Sequence, residues 1–298
     1  MIQNDPANWE LQDVERVLQQ SGLDTGGNVN RLGVGYHSVA VGTSAGDVVR
    51  LGRNPGVVAR HQLEMQLLPK LEPQLSVAVP SPHWLAPPSA LLLPFGAIAY
   101  PMIPGEVTSG RGTKSLARQT ASFLVELHEI TDVGDVPLPD VSERRRMLAE
   151  LRMVVAKAVA PIDRGAALQI DDWFERYNEA DELWEFTPRL VHHDASEDNL
   201  VLRAGTLVAV IDWEHAAWSD PAIDFSSQQY SGPEYMDWVM DAYQALGGSL
   251  DGNERHRVER GTPIGPMHTI TLGYRTGDDA LIRRKLVELR RLGVLGPR

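Results

Sequence analysis

The feature that most restricts the fold is a long uncharged stretch in the first half of the chain. Residues 73–105 contain no Asp, Glu, Lys or Arg, yet they contain eight prolines. Proline removes a backbone donor and breaks a helix interior, so this stretch is unsuited to a membrane-spanning helix. We therefore expect short buried strands joined by proline turns, with a strand or strand pair over Leu91–Tyr100.

Charge and cysteine content narrow the classes of function. The 298-residue chain has no cysteine and a formal net charge of -12. A disulfide scaffold, a cysteine-ligated metal and a thiol nucleophile are therefore excluded. So acidic a chain is poorly suited to nucleic acid, which requires a positive surface. The first residues resemble no export signal, so we expect a cytoplasmic protein without a membrane partner. The oligomeric state is not indicated.

The two parts of the chain differ in pattern. Residues 1–105 hold eight acidic and six basic side chains, and the remainder hold 32 and 22. The first part reads as strands over 31–41 and 47–51, followed by a helix over 55–71 with Asn54 as its N-cap. The second part reads as mainly helical. Its predicted helices are Leu116–Ile130, Val141–Val159, Asp171–Trp184, Tyr235–Leu246 and Asp278–Leu292. Short valine-rich runs at 189–192, 199–203 and 207–213 predict strands.

The strongest chemical signal is the segment His-His-Asp-Ala-Ser-Glu-Asp-Asn at residues 192–199, between two predicted strands. Asp194 and Asn199 belong to it, and Asp212 follows the next strand. Phosphoryl transfer from a nucleotide needs a carboxylate to orient the acceptor hydroxyl and oxygen ligands to hold magnesium. These three residues supply that set, although Asp and Asn also cap turns in ordinary loops.

With Ile-Asp-Trp at 211–213 and Ser-Asp-Pro at 219–221, this segment resembles the aminoglycoside phosphotransferase family, including its macrolide phosphotransferase relatives. The resemblance implies an α+β, bilobal, protein-kinase-like fold with a small β-rich N-lobe and a larger, mainly helical C-lobe. It further implies a nucleotide-binding lobe over residues 1–98, a hinge over 99–106 and a catalytic, acceptor-binding lobe over 107–298.

The resemblance also assigns roles. It implies Asp194 as the catalytic base, Asn199 and Asp212 as Mg²⁺ ligands, and ATP or GTP as the phosphoryl donor. His193 stands where the family usually has glycine, and Ser219 replaces another glycine. His193 and Glu214 are candidates for contact with the acceptor, and a packed, non-catalytic ring is the alternative for His193.

Residues of the first part fit a nucleotide site. The Gly-x-Gly segment 33–39, which contains Ser38, resembles a loop over phosphates, although an ordinary hairpin has the same pattern. Arg50 resembles the strand cation that binds the phosphates, and Arg53 competes for that role. Glu64 lies on an apolar helical stripe and therefore needs a cationic partner, which the resemblance identifies as Arg50. A solvent-exposed Glu64 at the edge of the stripe is the alternative.

The segment 99–106 resembles the interlobe hinge, so the backbone of Tyr100, Met102 and Ile103 is expected to contact the purine. His128, in a Leu-His pair at a helix end, is expected to pack and form hydrogen bonds. The acidic run 171–185 either attracts a polycationic acceptor or is a solvated helix face. Four aromatic residues line an apolar acceptor pocket or belong to the core: Trp213, Trp218, Tyr230 and Trp238.

These observations predict a small-molecule O-phosphotransferase that moves the γ-phosphoryl group of ATP or GTP to a hydroxyl of an aminoglycoside-type antibiotic. A macrolide 2'-phosphotransferase and a kinase for choline, a sugar or homoserine are alternatives of the same class. A silent nucleotide-binding regulator is the alternative outside enzymes. The segments at 263–267 and 272–278 are similar to macrolide phosphotransferases and their relatives.

Overall fold

A computed structural model describes residues 5–108, 112–232 and 234–296. The chain forms two compact units. The first unit comprises residues 1–108, 132–137 and 198–215, and the second comprises residues 109–131, 138–197 and 216–298. The functional boundaries predicted at 98 and 106 stay a prediction, since the two units are defined by packing alone.

A five-stranded antiparallel sheet forms the framework of the first unit, in the order β1-β2-β3-β5-β4. Its strands are β1 (Val29–Val34), β2 (Ser38–Thr43), β3 (Asp47–Gly52), β4 (Trp84–Ala86) and β5 (Ala97–Pro101). Alternate residues of the inner strands are fully buried, as for Val39 and Val41 on β2 and Val49 and Leu51 on β3. These residues pack with helix α1 (Leu11–Gln20), which the sequence analysis did not predict.

Helix α2 (Val57–Leu71) follows the third strand and completes this part of the first unit. The predicted N-cap at Asn54 is wrong, because Gly56 occupies the cap position without a side-chain bond. The Asn54 amide donates to the carbonyl of Tyr36 instead, and its side chain also lies against the ring of His37. Asn54 therefore ties the start of α2 to the turn between β1 and β2.

A smaller sheet in the first unit carries the segment that holds Asn199 and Asp212. Its order is β6-β8-β9, with β6 (Glu106–Val107), β8 (Leu200–Arg203) and β9 (Thr206–Val210). Ala204 and Gly205 form the β8–β9 turn, with φ angles of 49° and 79°. The strands predicted at 199–203 and 207–213 are confirmed, but β9 ends at Val210 because the chain turns sharply at Asp212, where φ is 65°.

Helices dominate the second unit, as predicted. They are α3 (Lys114–Glu129), α4 (Val141–Val159), α5 (Arg164–Glu179), α6 (Ala222–Ser226), α7 (Tyr235–Ala245), α8 (Glu254–Gly261), α9 (Ile264–Thr276) and α10 (Asp279–Arg291). A two-stranded sheet joins β7 (Arg189–Val191) to β10 (Ala217–Ser219). The large core lies among α4, α5, α9 and α10, around the side chains of Trp173, Phe174 and Tyr177. The predicted α+β division into a β-rich first part and a mainly helical second part is confirmed.

The uncharged stretch 73–105 holds only β4 and β5 as regular strands. The strand predicted over Leu91–Tyr100 begins later, at Ala97, because residues 87–96 form proline-containing turns. Within the described part of the chain, the structure has no helix that is both long and apolar enough to span a bilayer.

A buried ion network fixes β10, α4 and α8 within the second unit. Asp220 is 1% exposed, and both of its oxygens lie 3.1–3.2 Å from Nε of Arg257. Arg144 of α4 reaches the same carboxylate at 3.5 Å, and Arg257 also pairs with Asp251. Charges removed from water in this way are stable only while each keeps its partners.

We expect Asp220→Ala to lower the free energy of unfolding by about 3–5 kcal/mol, because two buried arginines lose a common counterion. The control is Asp237→Ala, which removes an exposed ion pair with Arg255 and is expected to cost about 0–1 kcal/mol. Urea unfolding measures both. Equal losses in the two variants would contradict a structural role for the buried network.

A second buried acid makes stability depend on pH. Glu254 is 1% exposed, and its Oε1 has no hydrogen-bond partner among the described residues. Burial raises the pKa of Glu254 from 4.5 to about 7. The folded state thus holds this proton more tightly than the unfolded state. The resulting stabilisation is complete below about pH 4.5 and is lost as the pH rises through about 7.

Glu254→Gln is therefore expected to remove this loss, since glutamine resembles the protonated acid. At pH 8 the variant should be more stable than the parent by about 3 kcal/mol, with little difference near pH 4.5. Unfolding curves at several pH values test this, with the exposed Glu150→Gln as the control. A difference that does not change with pH would sink the assignment to Glu254.

Candidate active site

One buried guanidinium group organises a charged cluster in the first unit. Arg50 lies in the middle of β3, with β2 and β5 paired on either side. Its Nη1 lies 2.7 Å from Oε1 of Glu64 and 2.9 Å from Oδ1 of Asp212, and its Nη2 contacts Oε2 of Glu214. A single cation therefore meets three carboxylates, one from α2 and two from the segment after β9.

Glu64 is the most deeply buried of these carboxylates, at 1% exposure. It shares the inner face of α2 with Val57 and Leu68, as the apolar stripe predicts. Burial raises the pKa of Glu64 to about 7, against the effect of Arg50. Its second oxygen accepts a hydrogen bond from the Tyr100 hydroxyl. The predicted pairing with Arg50 is confirmed, and the solvent-exposed alternative is wrong.

Arg53 does not share this cluster. Its guanidinium forms two hydrogen bonds with the carboxylate of Asp5, at 2.9 and 2.8 Å, and it also donates to the carbonyl of Gly35. Asp5 holds the pKa of Arg53 above its usual range, chiefly through those hydrogen bonds. Of the two arginines considered, Arg50 is thus the one that contacts Glu64.

Glu214 is placed differently from its predicted contact with the acceptor. Its carboxylate is 6% exposed and contacts Arg50, which lies 164 residues away in the sequence. Although burial acts in the opposite direction, the hydrogen bond with His215 and the charge of Arg50 hold the pKa of Glu214 well below its usual range. This ion pair is a feature that sequence reasoning missed, because nothing local to residue 214 indicates its partner.

Some polar groups of the predicted hinge already form hydrogen bonds within the protein. Tyr100 lies in β5 opposite Val48, and its hydroxyl is committed to Glu64. The Met102 amide donates to the carbonyl of Gly46 at 2.8 Å. That amide is therefore unavailable to a purine. The remaining backbone groups of this segment, including those of Ile103, keep the predicted role as a proposal.

The strand predicted over 31–41 is wrong, because the chain turns at residues 35–37 and forms β1 and β2 there. The glycine-containing segment thus includes a loop between two strands, as the resemblance implies. Residues 35–37 connect β1 to β2, and the Gly35 amide donates to the Ser38 carbonyl at 2.8 Å. Ser38 begins β2 and is 7% exposed. Its hydroxyl has no hydrogen-bond partner among the residues that the structure describes. A ligand oxygen would satisfy this buried group, and the nucleotide role of Ser38 stays a proposal.

Asn199 and Asp212 are brought together by the β8–β9 hairpin. The Ile211 amide donates to the Asn199 carbonyl at 3.0 Å, so Asn199 lies opposite Ile211, the residue that precedes Asp212. Oδ1 of Asp212 is buried and accepts no hydrogen bond from the described residues, although Arg50 lies 2.9 Å away as an ion pair. An amide and a carboxylate are the oxygen ligands that Mg²⁺ prefers. The two residues therefore fit a magnesium site.

The loop that carries Asp194 belongs to the second unit and is held by its backbone. The amides of His192 and His193 donate to the two oxygens of Asp224, at 3.0 and 2.7 Å. The Asp194 amide donates to the His192 ring at 3.3 Å, and Gln228 binds the Ala195 carbonyl at 2.7 Å. Main-chain groups of this loop, bonded to the side chains of Asp224 and Gln228, thus fix the position of Asp194.

Asp224 is the positioning residue that sequence reasoning left without a role. It is fully buried, and its Oδ2 lies 3.2 Å from Nε2 of His128. The other ring nitrogen of His128 lies 3.1 Å from the Tyr243 hydroxyl. The prediction that His128 packs and forms hydrogen bonds is confirmed. The signal available in sequence was Asp224 itself, three residues after Pro221 in the Ser-Asp-Pro string.

His193 occupies a backbone conformation that favours glycine. Its φ angle is 74°, in the left-handed region. This explains in physical terms why glycine is the usual residue at the matching family position. The side chain of His193 is half-buried, and its role toward an acceptor stays a proposal.

The other acceptor predictions divide between core and surface. Trp213 is fully buried, and its indole donates to the Val210 carbonyl, so it belongs to the core. In the acidic run, Asp171 and Glu175 pair with Arg152 and Asp172 pairs with Arg176, as expected for a solvated helix face.

Tyr230 is the exposed aromatic of this group. It is 42% exposed, and its hydroxyl fits against Gly265 near the start of α9, where a Cβ atom would lie 2.3 Å from that oxygen. Burial of the hydroxyl, together with the nearby carboxylates of Glu288 and Asp194, raises the pKa of Tyr230. The ring of Tyr230 also lies 5.6 Å from Nζ of Lys285, so α9 and α10 both contact this side chain.

Residues 28–258 match the family model described as the phosphotransferase enzyme family. This match covers most of the chain, and the protein therefore belongs to that family. The prediction that the chain is a phosphotransferase is confirmed by this membership. No curated protein sequence gave a significant match.

Solved structures of related enzymes show the same kinase-like fold. The GDP and kanamycin complex of APH(2")-IIia matches with a TM-score of 0.77 and 21% identity, over 95% of this chain and 99% of that one. The apoenzyme of macrolide 2'-phosphotransferase MphH from Brachybacterium faecium matches with a TM-score of 0.67 and 23% identity, over 97% and 99%. The streptomycin-ATP-APH(2")-IIa ternary complex matches with a TM-score of 0.66 and 20% identity, over 95% and 97%. The predicted kinase-like fold is confirmed.

The left-handed backbone of His193 leads to a stability prediction. A left-handed conformation costs an L-residue about 1–2 kcal/mol, and glycine avoids this cost. Glycine loses more backbone entropy on folding, which offsets about 0.5–1 kcal/mol of the gain. His193→Gly should therefore be as stable as the parent or slightly more stable. His193→Val should lose about 1–3 kcal/mol, since branching at Cβ opposes positive φ. Urea unfolding compares the pair, and equal stability of the two variants would argue against a left-handed residue 193.

Proposed function

We propose that this protein transfers the γ-phosphoryl group of ATP or GTP to a hydroxyl group of an aminoglycoside-type antibiotic. The observation that carries the proposal is the contact of one strand cation, Arg50, with both the helix carboxylate Glu64 and Asp212. Kinase chemistry requires a strand cation paired to a helix glutamate, together with an aspartate that holds magnesium. The first unit supplies all three groups.

In the proposed mechanism Arg50 binds the nucleotide phosphates, and Glu64 keeps its guanidinium in place through an ion pair. Asn199 and Asp212 would hold Mg²⁺, which, when bound, neutralises charge on the phosphates. The acceptor oxygen attacks the γ-phosphorus as the bond to the bridging oxygen of the leaving nucleoside diphosphate breaks. Asp194 accepts the proton of the acceptor hydroxyl. Because the phosphoryl group passes directly to the acceptor, no covalent enzyme intermediate forms.

Charge supports a cationic acceptor. Residues 106–298 hold 32 acidic and 22 basic side chains, and this excess attracts polycations. Solved relatives with the same fold were crystallised with kanamycin, gentamicin and streptomycin. The magnesium requirement, the choice between ATP and GTP, and a cytoplasmic location are parts of the same proposal.

A macrolide is the second candidate acceptor, and exposed apolar side chains in the second unit support it. Tyr230, Leu272 and Tyr274 are each at least 37% exposed, although they lie within or beside packed helices. Such side chains suit an apolar ligand better than a polycation. Macrolide 2'-phosphotransferases are also among the solved structures with this fold.

The test is incubation of the purified protein with Mg²⁺ and ATP or GTP against kanamycin, gentamicin, streptomycin and a macrolide. Mass spectrometry identifies any acceptor that gains one phosphoryl group. We expect an aminoglycoside product, and we expect Asp194→Asn to lower kcat about 10²–10⁴-fold, because general-base catalysis contributes that much. Nucleotide binding by the variant should remain.

Asp198→Asn is the matched control, since Asp198 is an exposed aspartate four residues further along the chain. It should leave kcat unchanged. Full activity of Asp194→Asn would refute the assigned base. Phosphorylation of the macrolide alone would replace the aminoglycoside by the second candidate. No product from any acceptor, with nucleotide binding intact, would favour a silent regulator.

A further inference from the structure

Two histidines and a glutamate come together in the first unit beside the Arg50 cluster. His37 lies in the loop between β1 and β2, and Glu214 and His215 follow β9. One potential ligand atom from each of the three side chains lies within 4.8 Å of the other two. The mechanism above uses neither histidine.

The chemistry of these donors suits a divalent transition metal. Two imidazoles with one carboxylate form a common ligand set of Zn²⁺, with metal–ligand bonds of about 2.0–2.2 Å. Ligand atoms of a tetrahedral site with such bonds are about 3.4 Å apart. Oε1 of Glu214 and Nε2 of His215 are separated by 3.4 Å, so this pair already has the required spacing.

The ring of His37 is oriented by a neighbouring amide. Its Nδ1 lies 3.2 Å from Nδ2 and 3.4 Å from Oδ1 of Asn54, just before α2. Histidines that bind metals usually donate their other ring N–H to an oxygen acceptor of this kind. In the tautomer that donates Nδ1–H to Oδ1 of Asn54, Nε2 is the atom available for a metal.

A positive side chain already lies among these donors. Nη1 of Arg60 lies 2.7 Å from Nδ1 of His215, 3.3 Å from the Glu214 carbonyl and 4.0 Å from Oε1 of Glu214. Arg60 thus occupies the position in which the donor atoms favour a cation. A bound metal ion requires the guanidinium to move aside, and Arg60 is 22% exposed at the surface of α2.

We propose that His37, Glu214 and His215 bind a Zn²⁺-type transition metal ion, in competition with the guanidinium of Arg60. This site is separate from the oxygen ligands Asn199 and Asp212 and goes beyond the proposed phosphotransferase function. A metal ion held there joins the β1–β2 loop to the segment after β9. Because the metal joins these two segments, it fixes the conformation of the loop. That loop is also the proposed nucleotide loop.

The experiment is a titration of the full-length protein with Co²⁺, in buffer free of magnesium and nucleotide. Four-coordinate Co²⁺ absorbs strongly in the visible range, which reports its coordination directly. We expect one Co²⁺ per chain with such a spectrum, and displacement of Co²⁺ by Zn²⁺. His37→Ala should weaken the binding at least tenfold, since even outer contacts of a metal site contribute about 10–100-fold.

His83→Ala is the matched control, because His83 is a partly exposed histidine of the same unit that pairs with Asp47. It should bind Co²⁺ like the parent. Arg60→Met keeps the aliphatic stem, removes the competing charge and should tighten the binding. Thermal unfolding of each variant verifies the fold, and His37→Gln replaces the alanine variant if that variant does not fold.

Three results would overturn the site. The first is the absence of a one-to-one endpoint with a four-coordinate spectrum. The second is parent-like binding by the His37 variants, which would place the metal at the neighbouring carboxylates of Glu64, Asp212 and Glu214. The third is unchanged or weaker binding by Arg60→Met. None of these experiments measures phosphoryl transfer, so the metal site and the proposed function are tested separately.

Discussion

The burial of one arginine among three carboxylates is the interaction on which the first unit depends. Arg50 on the central strand cannot lose its charge, and burial makes an uncompensated guanidinium costly. Helix α2 must therefore present Glu64 to the sheet, and the β8–β9 hairpin must deliver Asp212 and Glu214 to the same point. The groups proposed to bind nucleotide and metal are consequently ordered by the ion pairs that stabilise the unit.

In the second unit, a buried carboxylate is compensated mainly by hydrogen bonds from backbone amides. Asp224 gathers two successive amides of the Asp194 loop and the ring of His128, and its own burial is compensated by those three donors. Asp220 forms buried ion pairs with Arg144 and Arg257. The buried acids of the Ser-Asp-Pro region thus hold structure in place, while Asp194 carries the proposed chemistry.

Local signals made much of this architecture predictable, and long-range partners account for the rest. Helix α4 was predicted with its observed bounds, because Asp140 caps its start and apolar residues mark one face. Helix α5 begins at Arg164, seven residues before the predicted start, since its first turn is capped by Asp163 and has little apolar pattern. The polar helix α8 was missed, because its buried Arg257 depends on Asp220, 37 residues away. The family resemblance identifies the pairing of Arg50 with Glu64, whereas nothing in the sequence links Glu214 to Arg50, 164 residues away.

The way in which Asp224 holds the Asp194 loop bears on how this protein can diversify. Asp224 accepts hydrogen bonds from the main-chain amides of residues 192 and 193, and the side chains of these residues take no part in the two bonds. Every residue except proline has such an amide. The side chain at position 193 can therefore be changed without loss of these bonds, and the left-handed backbone is the main limit on which residue fits there. Substitutions there can reshape the surroundings of Asp194 while the loop keeps its geometry. With the proposed role of Asp194, residue 193 is a starting point for laboratory evolution toward new acceptors.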